Sequence, residues 1–263
     1  MAQPRIMFEM TVESIRQGLR ETQCVIVPIG CVEQHGYHLP ISVDVHNATE
    51  LAARASAETG CFVAPTLPYS FSGGTLPGTI NLSPHLFALT LMEIAQSLVQ
   101  QGFRDIVFLL GHGGTENTRA ANEAAEIFQR LHPDLENVTL SVVPFWELSP
   151  TMMQAFANGD YHAALIETSL MLFWKPELVR MHAAQTDSPE LMARLRTDPD
   201  AYLQRQKRVE HPYVLPRLTQ RPEMQVGVMG DYTGANAELG AKVCAECVAG
   251  LAAFIRQLME ARK

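Results

Sequence analysis

The chain has 263 residues, 47% of them hydrophobic and 18% charged, a globular composition that excludes an intrinsically disordered chain. Its formal net charge is −8, and its Lys and Arg residues are scattered. A nucleic-acid partner is therefore not expected, because neutralising phosphates requires clustered cations.

Thr11 to Arg20 reads as a helix with Thr11 as its N-cap. Cys24 to Ile29 is a short apolar run bounded by Gly30, the pattern of a buried strand. Ala48 to Thr59 is an Ala-rich helix stopped by Gly60, and Cys61 to Ala64 a second strand. Ser83, Pro84 and Gly102 delimit a helix ending at Gln101, with serine as cap, proline in the first turn and glycine at the end. Asp105 to Leu110 is a third buried strand, Glu116 to Leu131 the next helix and Val138 to Val143 the next strand. Tyr161 to Trp174 reads as helical, Ser188 to Pro216 as a polar, proline-containing subunit contact or lid, and Ala235 to Arg262 as a long helix.

Strands apolar on both faces, alternating with helices, predict an α/β fold with a mainly parallel sheet covered on both sides. No repeat, low-complexity tract or linker divides it, so one domain over 1–263 is expected. No apolar run reaches bilayer length and the first residues lack the apolar core of a signal peptide, which makes the cytoplasm, with no membrane partner, the default expectation. The five cysteines are odd in number and dispersed, which does not suggest a disulfide framework. Cys244 and Cys247 form a C-x-x-C within an apolar helical pattern and read as core. Arg205, Lys207 and Arg208 read as a solvated helix face.

Open α/β sheets bind ligands beyond the carboxyl ends of their strands. Two of the motifs richest in ionisable residues follow strands directly. The first runs from Gly30 to Asp44 and holds Glu33, His35, His38 and Asp44. In an extended segment Glu33 and His35 point the same way, and Gly36 and Pro40 let the loop return Asp44 to them. Carboxylate, imidazole and carboxylate suit zinc, manganese or another first-row divalent ion, against the competing reading of a chance polar cluster. The second motif, Leu110-Gly-His112-Gly113-Gly114-Thr-Glu116-Asn117, opens a helix. It lacks the P-loop lysine and dinucleotide spacing, which leaves His112 as a ligand and Glu116 as a candidate for a second ion. Glu116 reads equally well as a first-turn acid complementing the helix dipole. A third cluster holds Asp160, His162 and Glu167. The five-residue spacing from His162 to Glu167 is not a same-face helical pair, so one of them belongs to the entry loop. A histidine beside a metal centre can donate a proton to a leaving nitrogen; the competing reading is a capped helix start.

At these clusters the sequence resembles the creatininase (creatinine amidohydrolase) family. The resemblance rests on Pro28-Ile-Gly-Cys-Val-Glu-Gln-His-Gly-Tyr-His-Leu-Pro40, Pro77-Gly-Thr79, Gly111-His-Gly-Gly114, His162 through Glu167-Thr-Ser-Leu-Met171 and Gly227-Val-Met-Gly-Asp231, in family order. It implies a three-layer α/β/α fold, commonly a homohexamer, with two divalent ions (Zn, Mn or Fe) per chain. It further implies that Glu33 and His112 hold one ion, that His35 helps hold the other, and that Asp44 bridges them. His162 matches the catalytic proton shuttle and Glu167 the acid near it. Trp146 and Trp174 match aromatic walls around a flat small-molecule substrate, beside Gly113 and Gly114; each otherwise reads as core or interface. Creatininase itself has a glutamate where this chain has Gly114, so either Glu116 is the last ligand or the second ion site is weak or empty. The implied reaction is hydrolysis of a cyclic amide, with formamides and keto-inositol rings as alternative substrates. A non-catalytic binder and a metal-dependent isomerase are the readings from other classes.

Overall fold

The computed structural model describes residues 3–262, so Met1, Ala2 and Lys263 of the expected domain lie outside the described residues. In chain order the main elements are β1 (Arg5–Ile6), α1 (Val12–Gly18), β2 (Cys24–Ile29), α2 (Val43–Thr59), β3 (Phe62–Val63), α3 (Pro84–Gln101), β4 (Asp105–Leu110) and α4 (Thr115–Leu131). There follow β5 (Thr139–Pro144), α5 (Pro150–Ala157), α6 (Leu165–Trp174), α7 (Pro189–Thr197), β6 (Leu203–Gln206), β7 (Arg217–Gln220) and α8 (Ala237–Ala261).

Five strands pair in parallel in the order β1-β3-β2-β4-β5. β2 and β4 form the centre, in register from Cys24 opposite Asp105 to Ile29 opposite Leu110. Every residue of both is buried, and the pleat sends alternate side chains to opposite faces. Cys24, Ile26, Val107 and Leu109 enter a core shared with α2, α6 and α8. Val25, Val27, Ile106 and Phe108 enter a second core against α3 and α4. The result is an α/β/α arrangement of three layers, as expected. Among the described residues no helix is long and apolar enough to cross a membrane.

The departures from expectation are local. α2 begins at Val43, five residues early, because Val43 and Asp44 are buried and extend the helix beyond its Ala-rich stretch. Asp44 therefore projects from a helical first turn and not from a loop. α6 starts only at Leu165, since Ala163 adopts a left-handed φ of 53° and the Asp160 carboxyl group accepts from Ile166 N at 2.9 Å to cap the helix. The segment 150–157, unassigned from sequence, is a helix whose Ser149 hydroxyl caps Met152 N at 3.1 Å. Arg205 lies on the antiparallel β6–β7 pair, not on a helix. Cys244 and Cys247 are buried in α8.

Gly111, at the end of β4, is where the sheet meets α2 most closely. A Cβ there would stand 2.2 Å from the Asp44 carbonyl oxygen, so only glycine admits this approach. The end of β4 and the helix turn carrying Asp44 are thereby brought together.

Candidate active site

Five chain segments deliver the site's side chains to the carboxyl edge of the sheet. The turn after β2 brings Glu33 and His35, the first turn of α2 brings Asp44, and the loop after β4 brings His112. The α5–α6 connection adds His162, and the first turn of α6 adds Glu167. His162 is fixed by an antiparallel bridge in which Met229 N donates to its carbonyl at 2.8 Å.

The six groups converge. His112 Nδ1 lies 3.0 Å from Glu33 Oε2 and 3.1 Å from Asp44 Oδ2. His35 Nε2 lies 3.3 Å from Asp44 Oδ1 and 3.5 Å from Glu167 Oε2. The two oxygens of Asp44 thus face two different imidazoles. His162 Nδ1 stands 3.8 Å from Glu33 and 4.0 Å from Glu167, and its ring centroid is 4.2 Å from that of His35.

Hydrogen bonds fix which ring nitrogen faces inward. The Glu33 carbonyl can only accept, so His35 Nδ1 donates to it at 3.0 Å and leaves the Nε2 lone pair toward Asp44 and Glu167. His162 Nε2 donates to the Gln34 carbonyl at 2.8 Å, which turns its Nδ1 lone pair to the cavity. The Ser72 hydroxyl donates to Glu33 Oε1, leaving Oε2 for His112.

Three carboxylates buried together are costly unless cations compensate them. Burial disfavours charged imidazoles at His35 and His112, yet the neighbouring carboxylates outweigh it and raise both well above the usual histidine value. Burial likewise opposes ionisation of Glu33 and Glu167, and the imidazoles overcome it, holding both carboxyls below their usual range. Glu33 Oε2, His35 Nε2, Asp44 Oδ2 and His112 Nε2 are buried without a hydrogen-bond partner among the described residues. Donors about 2.0–2.1 Å from a first-row divalent ion stand about 3.3 Å apart at the corners of a tetrahedron. The observed separations of 3.0, 3.1, 3.3 and 3.5 Å match that edge, so the residues fit metal ions.

A cavity of about 230 Å³ opens above the cluster, lined by Gly113, Gly114, Trp146, Tyr202 and Met229 together with His112, His162 and Glu167. Gly114 stands so close to the His112 ring that a Cβ would lie 2.6 Å from Nε2. Glu116 lines the same cavity but is in none of the groups, among the described residues, whose ligand atoms all lie within 4.8 Å of one another; those groups are His35, Asp44 and Glu167, then Glu33, His35 and His162, then Cys31, Asp44 and His112. Trp174 does not line the cavity. It is 8% exposed and packs from the last turn of α6 into the core shared with α2 and α8. Sequence reasoning did not find Ser72, whose Phe71-Ser-Gly-Gly74 setting carries no ligand pattern, nor Tyr202 of the region anticipated as a lid. Gln34 was visible between Glu33 and His35, yet its orienting role required the fold.

The family model described as creatininase, creatinine amidohydrolase, matches residues 8–255. The creatinine amidohydrolase of Pseudomonas putida is 26% identical over 267 residues, covering 95% of each chain. The mycofactocin precursor peptide peptidase of Mycolicibacterium smegmatis is 30% identical over 247 residues, 89% of this chain and 84% of that protein. The 3-dehydro-scyllo-inosose hydrolase of Thermotoga maritima is 27% identical over 192 residues, 69% of this chain and 60% of that one. A crystal structure of creatinine amidohydrolase superposes with a TM-score of 0.78 over 98% of this chain and 99% of that one, at 24% identity. With its matching model spanning nearly the whole sequence and its three-layer fold, this chain belongs to the creatininase family of metal-dependent hydrolases.

Proposed function

We propose that this chain is an amidohydrolase holding two divalent ions, with Glu33, Asp44 and His112 around one and His35, Asp44 and Glu167 around the other. The observation that carries this is Asp44, whose two oxygens face His112 and His35 at 3.1 and 3.3 Å. In this reading Glu167 is a ligand and not a catalytic acid, and Glu116 is not a ligand. Ions bound there supply Lewis acidity, polarising a carbonyl and acidifying water.

The protein's own groups do the rest. His162 presents an unprotonated Nδ1 to the cavity, so it first takes the proton of the attacking water and then returns it to the leaving nitrogen. The Gln34 carbonyl at 2.8 Å holds that tautomer throughout. Trp146 lies beside Gly113 and offers the cavity a flat apolar wall on which a planar amide can stack. Among the described residues the lining contains no Lys or Arg, in keeping with a small organic substrate and not a polyanion.

The names of the relatives favour two further substrates on the same chemistry, a peptide amide and an inosose ring, since each also presents a carbonyl to be attacked. The shared sheet between both helical layers supports one domain over 1–263. A homohexamer in the cytoplasm is the assembly and location we propose from the family resemblance; light scattering of the purified protein tests the former.

The deciding experiment is elemental analysis of gently purified protein alongside a panel assay on creatinine, hydantoins, formamides, short peptides and keto-inositols. About two equivalents of zinc, manganese or iron per chain, with activity lost in Glu33→Ala, is the expected result. No metal, with no gain on reconstitution, supports a non-catalytic binder instead. Oxygen-18 from solvent in the product excludes the isomerase reading.

A further inference from the structure

Beyond the metal cluster the cavity does not end at a wall of core residues. A second cavity of about 370 Å³ adjoins it, and Glu116, Tyr202 and Gln220 line both. Phe71, Leu203 and Leu218 give the second chamber apolar sides. Among the described residues no Lys or Arg lines either chamber.

The three shared side chains differ in what they offer. Gln220 Oε1 is occupied, accepting from Thr75 N at 2.7 Å, which leaves its amide N–H groups as the donor. Glu116 is half-buried and has no ion-pair partner among the described residues. An ionised carboxylate only accepts hydrogen bonds. Burial, then the Glu116 and Glu33 carboxylates, push the Tyr202 phenol up to about 12, so it stays a neutral hydroxyl between the two acids. The other acid at this mouth, Asp200, already faces Arg205 at 3.6 Å. Glu116 is therefore the uncompensated charge at the passage between the chambers.

We propose that Glu116, with Tyr202 and Gln220, is a specificity filter that selects substrates carrying a cationic nitrogen, an ammonium or amidinium, beyond the scissile carbonyl and rejects those carrying a carboxylate there. This deepens the amidohydrolase reading and rests on it. A substrate seated at the metal cluster reaches the partition with its distal end and enters the second chamber. The competing account of Glu116, a first-turn acid of α4 that merely complements the helix dipole, gives no discrimination between such tails.

The test uses metal-loaded protein and hydroxamates, which chelate ions and project a tail. γ-Aminobutyric and ε-aminocaproic hydroxamates carry the cation at a short and a longer reach. Valeric and heptanoic hydroxamates are their methyl-ended counterparts, and glutaric and pimelic monohydroxamates their carboxylate-ended ones. Dissociation constants come from calorimetry. In the parent protein, at one tail length or both, the cationic probe binds about tenfold tighter than the methyl-ended one and the anionic probe weaker still, the scale of one hydrogen bond to a charged group. Glu116→Gln abolishes that ranking while keeping its metal content. Equal binding of all tails to the parent, or a ranking that persists in Glu116→Gln, overturns the filter and leaves the metal reading intact. If no hydroxamate binds and the protein holds no metal, the amidohydrolase reading falls and the filter with it. Loss of metal in Glu116→Gln overturns the assignment by making Glu116 a ligand.

Discussion

Replacing Asp160 by Asn isolates one buried carboxyl from the rest of the site. Asp160 is 8% exposed and caps α6, the helix that carries Glu167, through Ile166 N. Burial, with the Glu167 and Asp231 carboxylates adding to it, raises its pKa from an ordinary 3.8 to about 7. The folded state thus holds a proton that the unfolded chain releases near pH 4, so this group's contribution to stability falls as pH rises from about 4 to about 7 and is level above. At ~1.4 kcal/mol per pH unit the whole loss is about 4 kcal/mol at most. About 3 kcal/mol of it accrues between pH 5 and pH 8, and relaxation of the site lowers this to roughly 1.5–3 kcal/mol. Asparagine keeps an acceptor for Ile166 N and does not titrate. In chelator-treated protein, where no cation perturbs the carboxyl, thermal unfolding of Asp160→Asn and parent at about pH 5 and about pH 8 gives the difference directly. The variant's Tm minus the parent's should increase by about 3–9 °C from the lower pH to the higher. A difference that is the same at both pH values, or that decreases at the higher one, refutes the account of Asp160 as a buried acid kept neutral by desolvation.

The imidazoles give the opposite dependence. His35 and His112 are raised in the metal-free fold, so their protons stabilise it fully below the unfolded value of about 6.5, and that stability is lost as pH rises through the folded pKa values. The Tm difference between metal-loaded and chelated protein should therefore grow from about pH 5.5 to about pH 8.5, while apparent metal affinity falls as pH falls; a constant difference contradicts the ligand assignment. Gly114→Ala sets a methyl against His112 Nε2 and should weaken metal binding by about 10–100-fold with the circular dichroism spectrum unchanged; undiminished affinity would show that the ring moves aside freely. Trp174→Ala should cost about 3–5 kcal/mol in thermal unfolding and leave metal content intact, whereas Trp146→Ala should raise KM for a planar amide with little loss of Tm. Reversal of those two phenotypes would exchange core and wall.

The sheet was legible because its strands are written without ambiguity. Cys24–Ile29 and Asp105–Leu110 are apolar at every position but Asp105, and each is followed by glycine. β1 was not, because two paired residues at a sheet edge leave no periodic pattern. Glu33, His35, Asp44 and His112 were singled out from their place beyond the strand ends, and the fold brings their donor atoms together. Glu167 and Glu116 were harder. Both sit in the first turn of a helix, where acids are common for the dipole alone, and only three-dimensional placement separates the one facing His35 from the one facing the rim. Trp174 was left between wall and core for a related reason: spacing along α6 cannot say which of the two a terminal aromatic faces, and the fold packs it in the core. Ser72, Tyr202 and Gln220 arrive from loops and a short hairpin, whose positions depend on tertiary packing and not on local pattern.

Gly111 has a consequence for how such an enzyme changes its trade. The backbone at that point touches the turn bearing Asp44 so tightly that no side chain can be added without prising sheet from helix. Variation there is expected to end in loss, whereas the β6–β7 pair forms a sheet of its own, apart from the five-stranded one. A laboratory library aimed at new substrates is best spent on positions 199–220, with the floor left untouched.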